Sequence, residues 1–196
     1  MIDINLVYED DVSHHLMRKL LAYFDNKFNV VNTYSGNGFG YIKKGIGGFN
    51  AASEFTPFFV LTDLDRHECP VIMMNDWLPA EKHRNLIFRV AVREVESWLL
   101  SDREGFFSFL KISKDLIPRN PDTENDPKQT LFNLVRKSRR REIKEDILPR
   151  NEYAKQGPNY NDRLQEFISN DWVLKRAIRH SESLNRAYRH LESFQL

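Results

Sequence analysis

The chain of 196 residues is 41% hydrophobic and 29% charged, which fits one folded domain with a sizeable extension and excludes a disordered chain. No apolar run approaches the roughly 20 residues that cross a bilayer, so no membrane partner is expected. Cys69 is the single cysteine, which excludes a disulfide framework and a cysteine-built zinc site. With no basic, cleavable leader at its start, the chain is expected in a reducing cytoplasm. The net charge of +1 hides an asymmetry. Residues 1–126 hold 14 Lys and Arg against 19 Asp and Glu, a net −5. Residues 127–196 hold 15 against 9, a net +6, and the two restore +1.

The first predicted strand is Ile2–Tyr8. Asp10, Asp11 and Ser13 then offer helix-capping chemistry. Val12, Leu16, Leu20 and Phe24 recur at helical spacing, predicting an amphipathic helix. A second strand is expected over Phe28–Thr33. Ser35-Gly36-Asn37-Gly38-Phe39-Gly40 and Gly45, Gly47 and Gly48 follow. These glycines match neither the P-loop nor the dinucleotide fingerprint, and they predict a flexible loop with a short helix near Tyr41–Lys44. A third strand, Phe58–Thr62, is apolar before its acids. Pro70–Leu78 reads as a short helix and Leu86–Val92 as a fourth strand. A helix from about Glu94 carries Val95, Trp98 and Leu99 inward, and Phe106, Phe109 and Leu110 continue an apolar patch. Pro118–Pro127, polar with three prolines, reads as a linker or exposed loop. Beyond it, residues 128–138, 160–169, 171–179 and 183–194 have helical patterns.

Strands alternating with helices imply an α/β fold with a four-stranded, mainly parallel, Rossmann-like sheet flanked by helices and a helical C-terminal extension. The expected division is an α/β domain over 1–115, a linker over 116–127 and a basic helical extension over 128–196.

In such a sheet, ligands bind at the C-terminal edge of the strands. Glu9 follows the first strand, Asp63 and Asp65 the third, and Glu94 and Glu96 the fourth. Carboxylates gathered at one edge repel unless a proton or cation joins them. A hard divalent cation, Mg2+ or Mn2+, suits such oxygen ligands. Asp63 and Asp65, two apart on an extended strand, point the same way. Glu94 and Glu96 are about 200° apart on a helix, so one of them at most faces a metal, and the sequence does not choose which. The same acids also serve as helix caps, a use that suits Asp10 and Asp11. His14, His15 and His67 fit no zinc-protease spacing, and Ser97, Ser101 and Ser181 fit no nucleophile elbow. Lys43 and Lys44, with the run Arg136, Lys137, Arg139, Arg140 and Arg141, are candidates for phosphate contact with nucleic acid.

Glu9, then Asp63-x-Asp65, then acids after the fourth strand, resembles the TOPRIM domain of topoisomerases, primases and overcoming-lysogenization-defect nucleases. Leu61-Thr62-Asp63-Leu64-Asp65-Arg66, Val92-Arg93-Glu94-Val95-Glu96-Ser97-Trp98-Leu99-Leu100 and Gly157-Pro158-Asn159-Tyr160-Asn161 look more closely like a small, largely uncharacterised prokaryotic TOPRIM-like family. That resemblance spans nearly the whole chain. It implies a Mg2+-dependent site that makes or breaks phosphodiester bonds in DNA or RNA. Glu9 would be general acid/base or metal ligand, Asp63 and Asp65 metal ligands, and Glu94 or Glu96 an assisting acid. It also implies an ATPase of a defence system, or a second copy of the chain, as partner. Asp10 stands where TOPRIM proteins usually carry Gly, and no tyrosine is placed for a topoisomerase's covalent step. Two other readings stay open. One is a catalytically silent binding subunit of an ATPase or nucleic-acid complex. The other is a receiver-like phospho-acceptor domain, which would also need a Thr or Ser after the fourth strand and a fifth strand bearing Lys.

Overall fold

A computed structural model describes every residue except Asn37, so that position of the glycine-rich segment lies outside the described residues. The chain forms two compact units. One comprises Met1–Val92 with Asn185–Leu196, the other Arg93–Leu184.

The first unit is a parallel sheet of β1 (Ile2–Tyr8), β2 (Phe28–Ser35), β3 (Phe58–Asp63) and β4 (Leu86–Ala91), in the order β2-β1-β3-β4. The connecting helices are α1 (Asp11–Ala22), α2 (Phe39–Ala52) and α3 (Pro70–Trp77). Val7, Val60 and Phe88 are register partners across β1, β3 and β4. They join Ile42 and Ile46 of α2 and Met73 and Trp77 of α3 in one core cluster. Leu6, Phe59 and Ile87 form the neighbouring row on the opposite face, as the two-residue period of a strand demands. Both rows are buried, which is why β1 and β3 read as continuous apolar runs.

The elements of the sheet lie where the sequence placed them, with one clear exception. The short helix expected near Tyr41–Lys44 is α2, 14 residues long. Glycine weakens a helix by about 1 kcal/mol per residue relative to Ala. Here Ile42 and Ile46, one turn apart and fully buried, anchor α2 on the sheet despite Gly45, Gly47 and Gly48. The last turns of the final helix, α10 (Glu182–Ser193), also belong to this unit from Asn185 onward. Lys27 Nζ donates to the Leu191 and Glu192 carbonyls at 2.8 and 2.6 Å, and Tyr188 stacks on Phe24.

The second unit is helical: α4 (Val95–Leu100), α5 (Arg103–Leu110), α6 (Pro127–Lys137), α7 (Arg141–Ile147), α8 (Tyr160–Asn170), α9 (Leu174–Ala177) and the start of α10. Trp98, Phe106, Tyr160, Phe167 and Trp172 are fully buried in it. Asp102, with no exposure, caps α5 through the Gly105 N–H and also accepts from the Val173 N–H and Arg176 Nη2, both at 2.7 Å. That turn around Trp172 shortens the helix expected over 171–179 to α9. In the proline-rich segment, Asp122 accepts from Ser181 Oγ and the Ser183 N–H, while Asp126 caps α6 through the Gln129 N–H. Among the described residues, no helix is long and apolar enough to cross a membrane.

Candidate functional site

Sheet order decides where a ligand can sit. From β1 the chain steps to β2 on one side, and β3 then takes the other side of β1. The crevice beyond the carboxyl ends of β1 and β3 is therefore the topological switch point, the usual ligand position in an open α/β sheet. Glu9 leaves β1 at that point, and Asp63 is the last residue of β3.

Glu9 Oε1 accepts a short hydrogen bond from Thr62 Oγ1 and a 3.0 Å bond from the Asp63 N–H. The two strand ends are thus joined through a carboxylate rather than through backbone alone. Burial lifts the Glu9 carboxyl above its ordinary range. The bonds from Thr62 and Asp63 pull it partway back, and the charges of Asp65 and Asp10 push it up again. Sequence reasoning assigned Thr62 no role. Its signal was a lone hydroxyl in an otherwise apolar strand.

Asp65 lies beyond the end of β3, exposed and with a left-handed backbone, φ 48°, so it does not share an extended strand with Asp63 as the sequence spacing predicts. Aspartate is one of the few non-glycine residues that visits this region readily. The turn is closed by the His67 N–H donating to the Leu64 carbonyl at 3.0 Å, while the Leu64 N–H donates to Ala91 O at 2.9 Å. His67 sits edge-on to Trp77, with ring centroids 6.1 Å apart. Asp10 caps α1 by accepting from the Ser13 N–H at 2.8 Å, as its sequence position suggested. His14, in the first turn of α1, stacks on Tyr8 at 4.6 Å. Its Nε2 is buried without a hydrogen-bond partner, and burial lowers its pKa, favouring the neutral imidazole.

The chemistry of this group is all carboxylate: Glu9, Asp63 and Asp65. Among the described residues, no three His, Cys, Asp or Glu side chains close into a ready ligand set. Mg2+ does not require one, because it is commonly held by one or two carboxylates with waters and substrate phosphates completing its octahedron. The Glu9 carboxyl is raised first by burial, with the charges of Asp65 and Asp10 as the smallest contributions. Any cation held here would rest on one or two of these carboxylates, with water completing its shell.

Glu94 and Glu96 lie in the second unit. Glu94 is the N-cap of α4 and its Oε2 accepts from the Lys128 N–H, at the start of α6, at 2.9 Å. Glu96 is buried, and its Oε1 accepts from Tyr160 Oη at 2.6 Å. Tyr160 is thereby a core residue.

Of the basic candidates, Lys43 and Lys44 are exposed on α2, with Lys43 Nζ 6.0 Å from the Trp77 ring centre. Arg136 and Lys137 are exposed in the last turn of α6, and Arg139 is exposed just beyond it. Arg140 pairs with Glu142 at 2.7 Å and donates to the Phe109 carbonyl, while Arg141 pairs with Glu145 at 2.6 Å. Comparison with known proteins finds no matching family model, no matching curated protein and no matching solved structure.

Proposed function

We propose that the first unit is a TOPRIM-like, Mg2+-dependent nuclease that hydrolyses phosphodiester bonds in nucleic acid, with Mn2+ as an alternative metal. What supports this reading is the position of Glu9 directly after β1 and of Asp63 at the end of β3, beside the switch point and joined by the Asp63 N–H to Glu9 Oε1 bond, with the Glu9 carboxyl lifted by burial. Asp63 and Asp65 would hold the cation. A bound Mg2+ supplies Lewis-acid polarisation of a phosphoryl oxygen. Glu9, whose Oε1 is occupied by Thr62 and the Asp63 N–H, would exchange a proton through Oε2. Burial raises that carboxyl, a direction that suits general acid/base work. Lys43 and Lys44 offer cations for the phosphate backbone from the same unit. Because Glu94 and Glu96 already hold α6 and Tyr160, the reading rests on the other three acids. A prokaryotic defence role and an ATPase partner follow from the sequence resemblance alone.

The test is incubation of the protein with labelled single- and double-stranded DNA and RNA, with Mg2+ or Mn2+, beside the Asp63→Ala/Asp65→Ala double variant. Cleavage by the wild type that falls at least about a hundredfold in the variant is expected, given what one positioned acid–base or electrostatic group contributes. Equal cleavage by both proteins would remove this site from consideration. The lack, among the described residues, of a closed three-ligand set favours one competing reading, a catalytically silent binding subunit. That reading predicts salt-sensitive nucleic-acid binding and no cleavage by either protein.

A further inference from the structure

The helical unit, Arg93–Leu184, carries a group of basic side chains that the readings above leave unused. Arg103, at the start of α5, and Arg176, Arg179 and His180, from α9 and the turn after it, line one recess of about 30 Å3 together with Glu104. The chain turns tightly as α9 ends. The Arg179 N–H donates to the Arg176 carbonyl at 3.3 Å, and the His180 N–H to the Ala177 carbonyl at 2.9 Å. Arg176 Nη2 donates to Asp102 Oδ2 and to the Asp171 carbonyl, both at 2.7 Å, which fixes it against the first turn of α5.

Arg176 Nε is buried without a hydrogen-bond partner, and Glu104 Oε2, 3.8 Å away, is too far to accept from it. A buried donor left unpaired is costly. Arg103 donates from Nε to the Ile117 carbonyl at 3.2 Å and from Nη2 to the Lys114 carbonyl at 3.0 Å. Those acceptors are neutral and leave its charge in place. Arg179 is exposed. His180 Nδ1 lies 3.0 Å from the Arg119 carbonyl. A carbonyl only accepts, so Nδ1 is the donor and Nε2 is left for a ligand.

The two acids beside these groups are already paired. Asp102 holds Arg176, and Glu104 Oε1 accepts from Lys114 Nζ at 2.8 Å. Among the described residues, Arg103 and Arg179 form no ion pair, so two positive charges stay unmatched. A carboxylate or a phosphodiester would offset one of them. A phosphomonoester, with a charge of about −1.5 to −2 at neutral pH, offsets both. A water-sized group needs roughly 10–15 Å3, so the recess admits about two oxygens, the number that one phosphate presents to an arginine fork.

We infer that Arg103, Arg176, Arg179 and His180 form a binding site for a phosphomonoester. The site lies within the helical unit and does not depend on the nuclease reading. Its ligand would be either the terminal phosphate of a nucleic-acid strand or that of a small phosphorylated molecule.

The experiment is calorimetric titration of inorganic phosphate, without divalent cations, against chloride at matched ionic strength. The proteins are wild type, Arg179→Gln and Arg103→Gln. Arg179 is exposed, so its variant keeps the test valid if Arg103→Gln fails to fold. Saturable binding is expected, weakened about tenfold in each variant by the loss of a charge-assisted hydrogen bond. Amide NMR spectra should show phosphate-dependent shifts in residues 103–105 and 176–180. Competition by a 5′-phosphorylated oligonucleotide, but not by the same strand without terminal phosphates, would identify the strand end as the source. Competition by neither would identify a small phosphorylated molecule. Equal competition by both would overturn the assignment to a monoester. No saturable binding by folded wild type, unchanged affinity in Arg179→Gln, or shifts confined to other residues would overturn the site itself.

Discussion

Glu9 is held by two donors and repelled by two acids, and the balance has a direction. Its carboxyl sits above the ordinary range, so the folded state binds this proton more tightly than the unfolded chain does. Ionised Glu9 therefore costs stability at neutral pH, and the cost disappears as pH falls through its raised pKa. Glu9→Gln keeps an oxygen for Thr62 and the Asp63 N–H while removing the charge. Thermal unfolding should show the variant more stable than wild type at neutral pH, with the advantage shrinking on acidification. A variant less stable than wild type at neutral pH would contradict this account. Glu96 is buried and accepts a hydrogen bond from the Tyr160 hydroxyl. Tyr160→Phe removes that donor and should cost about 1–3 kcal/mol in urea unfolding, with little volume change to confuse the result. The sequence offered Glu96 as a candidate but not its pairing with Tyr160, because 64 residues separate them and only the packed second unit brings them together.

At the scale of elements, α5 ends on Lys111 with a left-handed backbone, φ 52°. A non-glycine residue there is strained, and glycine is the usual solution. Lys111→Gly should stabilise the protein by about 0.5–1 kcal/mol, read as a higher midpoint in chemical denaturation. An unchanged or lower midpoint would mean that the lysine side chain has contacts worth more than the strain. The strands were legible because each is a short apolar run bounded by turn residues, and burial on both faces produces that signature. α2 was legible only in part. Its glycines mask the Ile42 and Ile46 stripe, and local propensity yields to packing there. α7 was missed although Ile143 and Ile147 stand one turn apart and are fully buried. The basic run ahead of it drew the reading toward solvent and phosphate instead.

For the whole molecule, acid sensitivity is a sum of opposing terms. His190 is held down to about 4 from an ordinary 6.5, so the unfolded chain binds that proton first. Its contribution is present above 6.5 and is lost as pH falls toward about 4, opposite in sign to that of Glu9. His190→Gln should flatten the stability profile in that interval, measured by thermal unfolding across pH. An unaltered slope would show that His190 is not held neutral. That Glu9 and Asp63 stand at strand ends was legible from the apolar runs before them, whereas Glu94 and Glu96 belong to the second unit. The return of α10 to the first unit was not, since Arg89 and His190 are 101 residues apart and composition carries no record of the contact.

Everything proposed for the crevice depends on a divalent cation binding at Asp63 and Asp65. Isothermal titration of Mg2+ and Mn2+ into wild type and into Asp63→Asn/Asp65→Asn tests this most directly, with circular dichroism to establish that both are folded. The account predicts saturable binding by the wild type that is lost in the variant. Absence of binding by the wild type, or equal binding by both proteins, would contradict it.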